Sequence, residues 1–244
     1  MPRRIHIGTS GWSYKGWEKA FYPAGLAVKE HFRFYATCFC TVEINLTFYR
    51  LPQLKLVHGW RDKAPRGFVY AVKGSRFITH MKKLVNLDGA LARFFRRLAP
   101  MRQKIGVVLW QLPPSLEKDT ERLDRFLGRL PKGYRHAVEF RHPSWYQDET
   151  FAVLRRHRTA HVSVSSLRMP MDLTVTANLV YLRFHGLQGG AAHDYTRQEL
   201  EPWAEHIRSQ AREGNQVFAF FNNDLNVRAP ANAKLLIEMT GAQP

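Results

Sequence analysis

The sequence predicts an α/β protein, a single (β/α)8 barrel of the TIM type, with residues 1–244 as one domain. Three observations predict it. Eight short apolar, β-branched runs alternate with longer amphipathic stretches along the whole chain. No Pro/Ser-rich linker or low-complexity tract interrupts the alternation. Within the runs, alternate residues form one apolar face, while the opposite face turns polar only near its C-terminal end. The 244 residues are close to the roughly 250 of a typical barrel. They can bury a full core without disulfides or metals. An open doubly wound sheet is the competing arrangement.

Strands are expected at 5–10, 40–46, 68–74, 105–112, 135–141, 160–165, 179–185 and 216–222. Amphipathic helical segments lie between them, among them Leu91 to Leu98, Leu123 to Leu130 and Trp203 to Ala211. In the second strand Val42, Ile44 and Leu46 oppose Glu43 and Asn45. In the third, Phe68, Tyr70 and Val72 oppose Val69, Ala71 and Lys73. In the fifth, Val138 and Phe140 oppose Ala137, Glu139 and Arg141. In the sixth, Val162 and Val164 oppose His161, Ser163 and Ser165, with the valines assigned to the outer face. In the seventh, Val180, Leu182 and Phe184 oppose Tyr181, Arg183 and His185. The apolar face suits a helix-covered exterior. The inward tips then carry Ser10, Glu43, Asn45, Lys73, Gln111, Glu139, Arg141, Arg183, His185 and Asn222. Buried charges are costly unless paired. Some of these groups must therefore pair with each other, and the rest are expected to face a ligand at the C-terminal rim, where barrel active sites lie.

Composition bounds the rest. Lys and Arg number 37 against 20 Asp and Glu, a net charge of +17. Such a field attracts nucleic acid, phosphorylated metabolites or anionic surfaces. Much of it falls in helix-like stretches such as 93–97 and 155–158, as a solvated outer face would also give. The two cysteines, Cys38 and Cys40, are too close for a good disulfide and too few for a zinc site. Free thiols in a reducing compartment are expected. No secretory h-region follows Met1-Pro2-Arg3-Arg4, and no apolar run is long enough to span a bilayer. A cytoplasmic protein without membrane contact is the expectation.

The strand ends carry further motifs. They are Ile7-Gly8-Thr9-Ser10-Gly11-Trp12-Ser13-Tyr14 with Phe21-Tyr22-Pro23, then Val42-Glu43-Ile44-Asn45 with Thr47-Phe48-Tyr49-Arg50. Val72-Lys73 with Ile78-Thr79-His80, Gln111-Leu112-Pro113-Pro114, and Glu139-Phe140-Arg141-His142 with Ser144-Trp145 follow. Arg183-Phe184-His185-Gly186, Phe221-Asn222-Asn223 and the helix start at Asn232-Ala233 complete the set. Jointly these motifs resemble the YecE-like family, a group of domains of unknown function, from residue 5 to about 235. The resemblance implies a TIM-barrel fold, in a neighbourhood usually compared with endonuclease IV and xylose isomerase. It implies no settled reaction. Two positions depart from the family's pattern. Ser165 stands where an acidic residue is expected, and Val227 where a glycine is usual after the paired asparagines.

Glu43 and Glu139 are the acid–base candidates, because two carboxylates across a barrel mouth share proton work when their environments separate their pKa values. Glu139 is expected to be the anionic orienter or base and Glu43 the proton donor. A salt-bridged scaffold is the alternative. Lys73, Glu139 and Arg183, from alternate strands, are expected to share a layer. For Lys73, charge pairing or anion binding is favoured over a Schiff base, which needs a depressed pKa. Arg141, Arg183 and His185 form a cationic side suited to phosphate or carboxylate. His80, His142 and His185 with the two glutamates are a zinc alternative, but no metal or other cofactor is expected. Trp12, Tyr14, Tyr49 beside Arg50, and Trp145 are candidates for stacking on a substrate, or else for core packing. The Gly-rich turn from Gly186, with Asn222 and Asn223, is a candidate anion cradle or a flexible lid.

The first reading is an enzyme acting on a small anionic substrate, phosphorylated substrates included. Catalytic roles fall to Glu43, Glu139, Lys73 and His185. Binding roles fall to Ser10, Trp12, Tyr14, Asn45, Tyr49, Arg50, Thr79, His80, Gln111, Arg141, His142, Trp145, Arg183, Gly186, Asn222 and Asn223. Hydrolase, lyase and isomerase chemistry are all open. A nucleic-acid binding or processing protein is the second reading, and a non-catalytic ligand-binding barrel the third.

Overall fold

A computed structural model describes residues 3–243. Eight parallel strands form the barrel: β1 (Ile5–Thr9), β2 (Thr41–Ile44), β3 (Val69–Lys73), β4 (Ile105–Gln111), β5 (His136–Glu139), β6 (Ala160–Ser165), β7 (Leu179–Phe184) and β8 (Gln216–Phe221). Their order is β1-β8-β7-β6-β5-β4-β3-β2, so neighbours in sequence are neighbours in space and the sheet curls back on itself. The eight expected strands are all present, most trimmed by a residue or two. The helices are α1 (His31–Cys38), α2 (Leu46–Tyr49), α3 (Leu54–Lys63), α4 (Ala90–Leu98), α5 (Thr120–Gly128), α6 (Asp148–Arg156), α7 (Arg197–Arg212) and α8 (Arg228–Thr240). Segment 166–178, between β6 and β7, carries no helix. Among the described residues no helix is long and apolar enough to cross a membrane.

Local chemistry sets the helix ends. Thr196 and Glu199 form a reciprocal capping box at the start of α7, which satisfies amides the helix cannot bond itself. Asp119 caps α5 through the Arg122 amide. Val227, before α8, takes φ 61° and ψ 27°. That left-handed backbone is free for glycine and strained for a β-branched residue. The valine at the glycine-like position thus keeps the glycine's backbone shape.

Burial separates two apolar layers. Outward residues such as Val42, Tyr70, Trp110, Phe140 and Leu182 pack beneath the helices. Inward residues such as Ala71, Leu109, Ala137, Val162 and Phe220 fill the barrel. The sixth strand corrects the expected parity. Val162 and Val164 point in, while His161 points out, stacked on Phe140 and edge-on to Phe151. Ser165 also leaves the interior, with its Oγ on the Tyr195 hydroxyl.

Closure falls at the seam between β1 and β2. The strands join through a bridge between Ser10 and Glu43 and a bond from the Gly11 amide to the Glu43 carbonyl. Below that bridge, Tyr35 of α1 supplies the link. Its hydroxyl accepts from the Thr9 amide at 3.0 Å and donates to the Thr41 carbonyl at 3.0 Å. Gly8 lies against the same carbonyl, and a Cβ there would stand 2.3 Å from its oxygen. One buried hydroxyl therefore satisfies two backbone groups that no ladder reaches. Tyr35→Phe should cost roughly 1–3 kcal/mol in urea unfolding, the penalty for stranding buried polar groups. An unchanged unfolding free energy would contradict this account of the seam.

Candidate functional site

Inward strand tips converge at the C-terminal rim. Glu43 from β2, Glu139 from β5 and Arg183 from β7 are each no more than 1% exposed. The two amino groups of Arg183 divide between the carboxylates, Nη2 to Glu43 Oε1 at 2.7 Å and Nη1 to Glu139 Oε2 at 2.6 Å. Ser10 Oγ donates to Glu43 Oε1 at 2.9 Å, and the Tyr181 hydroxyl to Oε2 at 2.6 Å. Glu139 also pairs with Arg141 Nε and accepts from Gln111 Nε2 at 3.2 Å. Tyr181 and Arg183 reach the same carboxylate because residues two apart share a face of a strand.

Burial alone would raise both glutamates. The charges of Arg183 and Lys73, with the Tyr181 bond, turn the shift of Glu43 downward. Arg141 and Arg183 hold Glu139 well below the usual carboxylate range. Both are therefore ionised at neutral pH, and the donor role expected of Glu43 finds no proton there. His185 is driven down to about 4 by burial and by Arg183. It is neutral, with Nε2 accepting from Arg141 Nη2 at 2.8 Å and Nδ1 3.2 Å from the Asn222 carboxamide.

Of the two roles expected of Lys73, charge pairing and anion binding, the first has no carboxylate oxygen left to take. Both carboxylates spend their ion pairs on Arg183 and Arg141, and the Lys73 ammonium lies over the Phe48 ring, 4.2 Å from its centroid. Burial first, and Arg183 second, lower its pKa to about 8. It opens onto a cavity of about 660 Å³ whose walls include Trp12, Tyr14, Asn45, Tyr49, Arg50 and Asn222. No Asp or Glu lines that cavity.

The mouth thus gathers Ser10, Glu43, Lys73, Gln111, Glu139, Arg141, Arg183, His185 and Asn222, with Trp12, Tyr14, Asn45, Tyr49 and Arg50 around the cavity. Other candidates have different surroundings. Trp145 is fully buried, stacked on Phe140, with its indole N–H on the Leu116 carbonyl. It has no surface for a substrate. Asn223 is also fully buried and ties the His193 carbonyl to Asn232. The Gly186 amide donates to the Tyr195 hydroxyl, and a Cβ there would stand 1.7 Å from the Gly190 oxygen. Its glycine serves close packing, and the Gly190 and His193 amides also bond inside the loop. These amides are committed to bonds within the protein. Thr79 is buried, bonded to Ser75 and His80. His80 packs edge-on against Phe48, behind Lys73. His142 caps a turn at Ser144. Among the described residues no three His, Cys, Asp or Glu side chains gather as a metal-ligand set.

Sequence reasoning missed Tyr181 as a site residue, although its spacing from Arg183 marks it. It also missed Phe48 and Trp60, which sit on helical segments and carry no strand-tip signal.

Arg183→Met would strand two buried carboxylates. It should lower stability by roughly 3–5 kcal/mol in urea unfolding, as removal of one partner from a buried ion pair does. A loss below roughly 1 kcal/mol, the scale of an exposed pair, would contradict this network.

The family model described as "Protein of unknown function DUF72" matches residues 6–244. The UPF0759 protein YunF of Bacillus subtilis (strain 168) is 26% identical over 272 aligned residues, covering 96% of this chain and 94% of YunF. The UPF0759 protein YecE of Escherichia coli (strain K12) is 32% identical over 143 residues, 58% of this chain and 50% of YecE. A crystal structure of a DUF72 family protein from Thermotoga maritima superposes with a TM-score of 0.89 at 28% identity, covering 98% of this chain and all of that one. A DUF72 protein from Enterococcus faecalis gives 0.83 at 20% identity, with 98% and 96% covered, and shares the fold.

Proposed function

We propose a function from the geometry of the mouth, for a chain that belongs to the DUF72 family, described as proteins of unknown function. The protein is an enzyme that binds a small anionic substrate at the C-terminal rim and moves a proton through Lys73. One observation carries this reading: Lys73 faces a cavity without a carboxylate partner, with its pKa lowered to about 8.

The chemistry follows from what each group can exchange. Glu43 and Glu139 are locked as anions. They fix Arg183 and balance its charge. Arg141 and Arg183 supply a positive field that favours negative charge developing on a substrate. The neutral His185 is held between Arg141 and Asn222. Of the groups lining the cavity, Lys73 is the one moved toward neutral pH. A proton-transfer group is most effective when its pKa lies near the working pH. An arriving anion pairs with the ammonium, and a neutral fraction remains available to accept a proton beside it. Proton removal or delivery next to a bound phosphate, carboxylate or sulfate is the reaction type this arrangement supports.

Competitive labelling of lysines with acetic anhydride across pH, read by peptide mass spectrometry, tests it. Lys73 should titrate near 8, well below exposed lysines at about 10.4. Sulfate, which does not titrate in this range, should raise the Lys73 midpoint by about one unit. The sign follows from linkage. Sulfate prefers the protonated amine, so its affinity should fall roughly tenfold in all between the free midpoint and the bound one about a unit higher, and level off above it. A Lys73 that titrates with the surface lysines, or ignores sulfate, would contradict the proposal.

A further inference from the structure

The mouth is one end of a longer trough. A second cavity of about 760 Å³ lies between residues 28–32 and α3, and it shares Trp12, Leu46, Arg50, Leu56 and Trp60 with the first. Its floor is aromatic, with Phe32 and Trp60 buried and Trp12 half-buried in edge-on contact with both. Its rim is cationic, with Lys29, Lys55 and Lys63 in addition to Arg50, and again no Asp or Glu lines it. Lys55 and Lys63 are exposed on α3, about 12 Å apart along the axis at 1.5 Å per residue. Exposed apolar side chains, Val28, Leu51 and Leu56, complete the walls.

A small anion needs only the mouth. It leaves unexplained an open aromatic floor bordered by cations along its length. We infer that the trough takes the remainder of the substrate, and that the substrate is a nucleotide-type phosphate ester, free or as a unit of a single strand. This rests on the reading of the mouth as an anion site. One phosphate sits between Arg50 and Lys73. The base lies over the Trp12–Trp60 wall. A second anionic group meets Lys55 and Lys63. Flat rings on aromatic side chains with phosphates on flanking cations are the general physics of single-strand binding. An alkyl phosphate would fill the floor but leave the far cations facing nothing.

Trp12 supplies the signal for a test. It is half-buried, while Trp17, Trp60, Trp110, Trp145 and Trp203 are buried. The full chain is titrated with single-stranded hexathymidylate, thymidine 3′,5′-bisphosphate and octyl phosphate while intrinsic fluorescence is read. The hexamer should quench Trp12, and Trp12→Phe should abolish that quenching. Octyl phosphate should bind at least roughly tenfold more weakly than the better nucleotide probe. The double reversal K55E/K63E should weaken the nucleotide probe roughly tenfold and flatten its salt dependence. The control R155E/R158E, at the end of α6 and lining neither cavity, should do neither. The bisphosphate then identifies the source: affinity near that of the hexamer supports a free nucleotide, and much weaker affinity supports a strand. Octyl phosphate binding as tightly as either nucleotide overturns the inference. So do equal losses from both reversals, since bulk charge then accounts for binding. Sulfate's effect on Lys73 labelling, read in the same samples, separates the two readings. Sulfate sensing without Trp12 quenching overturns the trough alone. Quenching without sulfate sensing supports the trough and overturns the mouth.

Discussion

A guanidinium almost out of reach of water joins two carboxylates in the upper interior of the barrel. Each of those ions would cost several kcal/mol to bury alone. Together, with donors from Ser10, Tyr181 and Gln111, they hold one another in place. The pairing also ties β2, β5 and β7 to a common geometry above the apolar interior. It fixes the electrostatics of the rim as well. Glu43 and Glu139 carry two negative charges, and Lys73, Arg141 and Arg183 carry three positive ones, so one cation is in surplus. Geometry puts that surplus on Lys73, because Arg183 and Arg141 take the carboxylate oxygens.

The surplus charge gives the cavity its character. A lysine beside two guanidinium groups and little water loses part of its hold on its proton, and Phe48 offers its ammonium only a ring face. The trough beyond continues the same sign without sharing the same burial. Its lysines stand in solvent on α3, so they attract ligands at long range while Lys73 acts at close quarters. The net charge of +17 is spread over the whole surface and by itself selects nothing. The absence of acids from both cavity linings is the more local fact.

Much of the barrel was legible because period-2 patterning is strong wherever one face needs large apolar residues. Tyr70, Phe140 and Phe184 leave little choice of side. The sixth strand was misread because valine and serine are both small. Val162 fits an interior as well as an exterior, and the ring of His161 can stack on Phe140 from outside. Residues at strand tips were found by the same parity, and parity also explains a failure. Asn222 and Asn223 look alike in sequence, yet a strand turns one inward to His185 and the other outward to Asn232. The glycines after β7 signalled a turn, and at Gly186 backbone crowding by itself requires the glycine. The pairing scheme itself was not legible. Whether Lys73, Arg141 or Arg183 holds the glutamates depends on side-chain reach across the barrel, which no spacing along one strand encodes.

Glu43 and Glu139 remain ionised through the physiological range because Arg183 joins them. Carbon-13 NMR of protein labelled at the glutamate side-chain carboxyls reads this directly. Glu43→Gln and Glu139→Gln variants assign the two resonances. In a titration from pH 8 down to 4.5, both signals should hold their ionised shifts while surface glutamates begin to move. A carboxyl of either residue that takes up a proton above pH 6 would contradict the account.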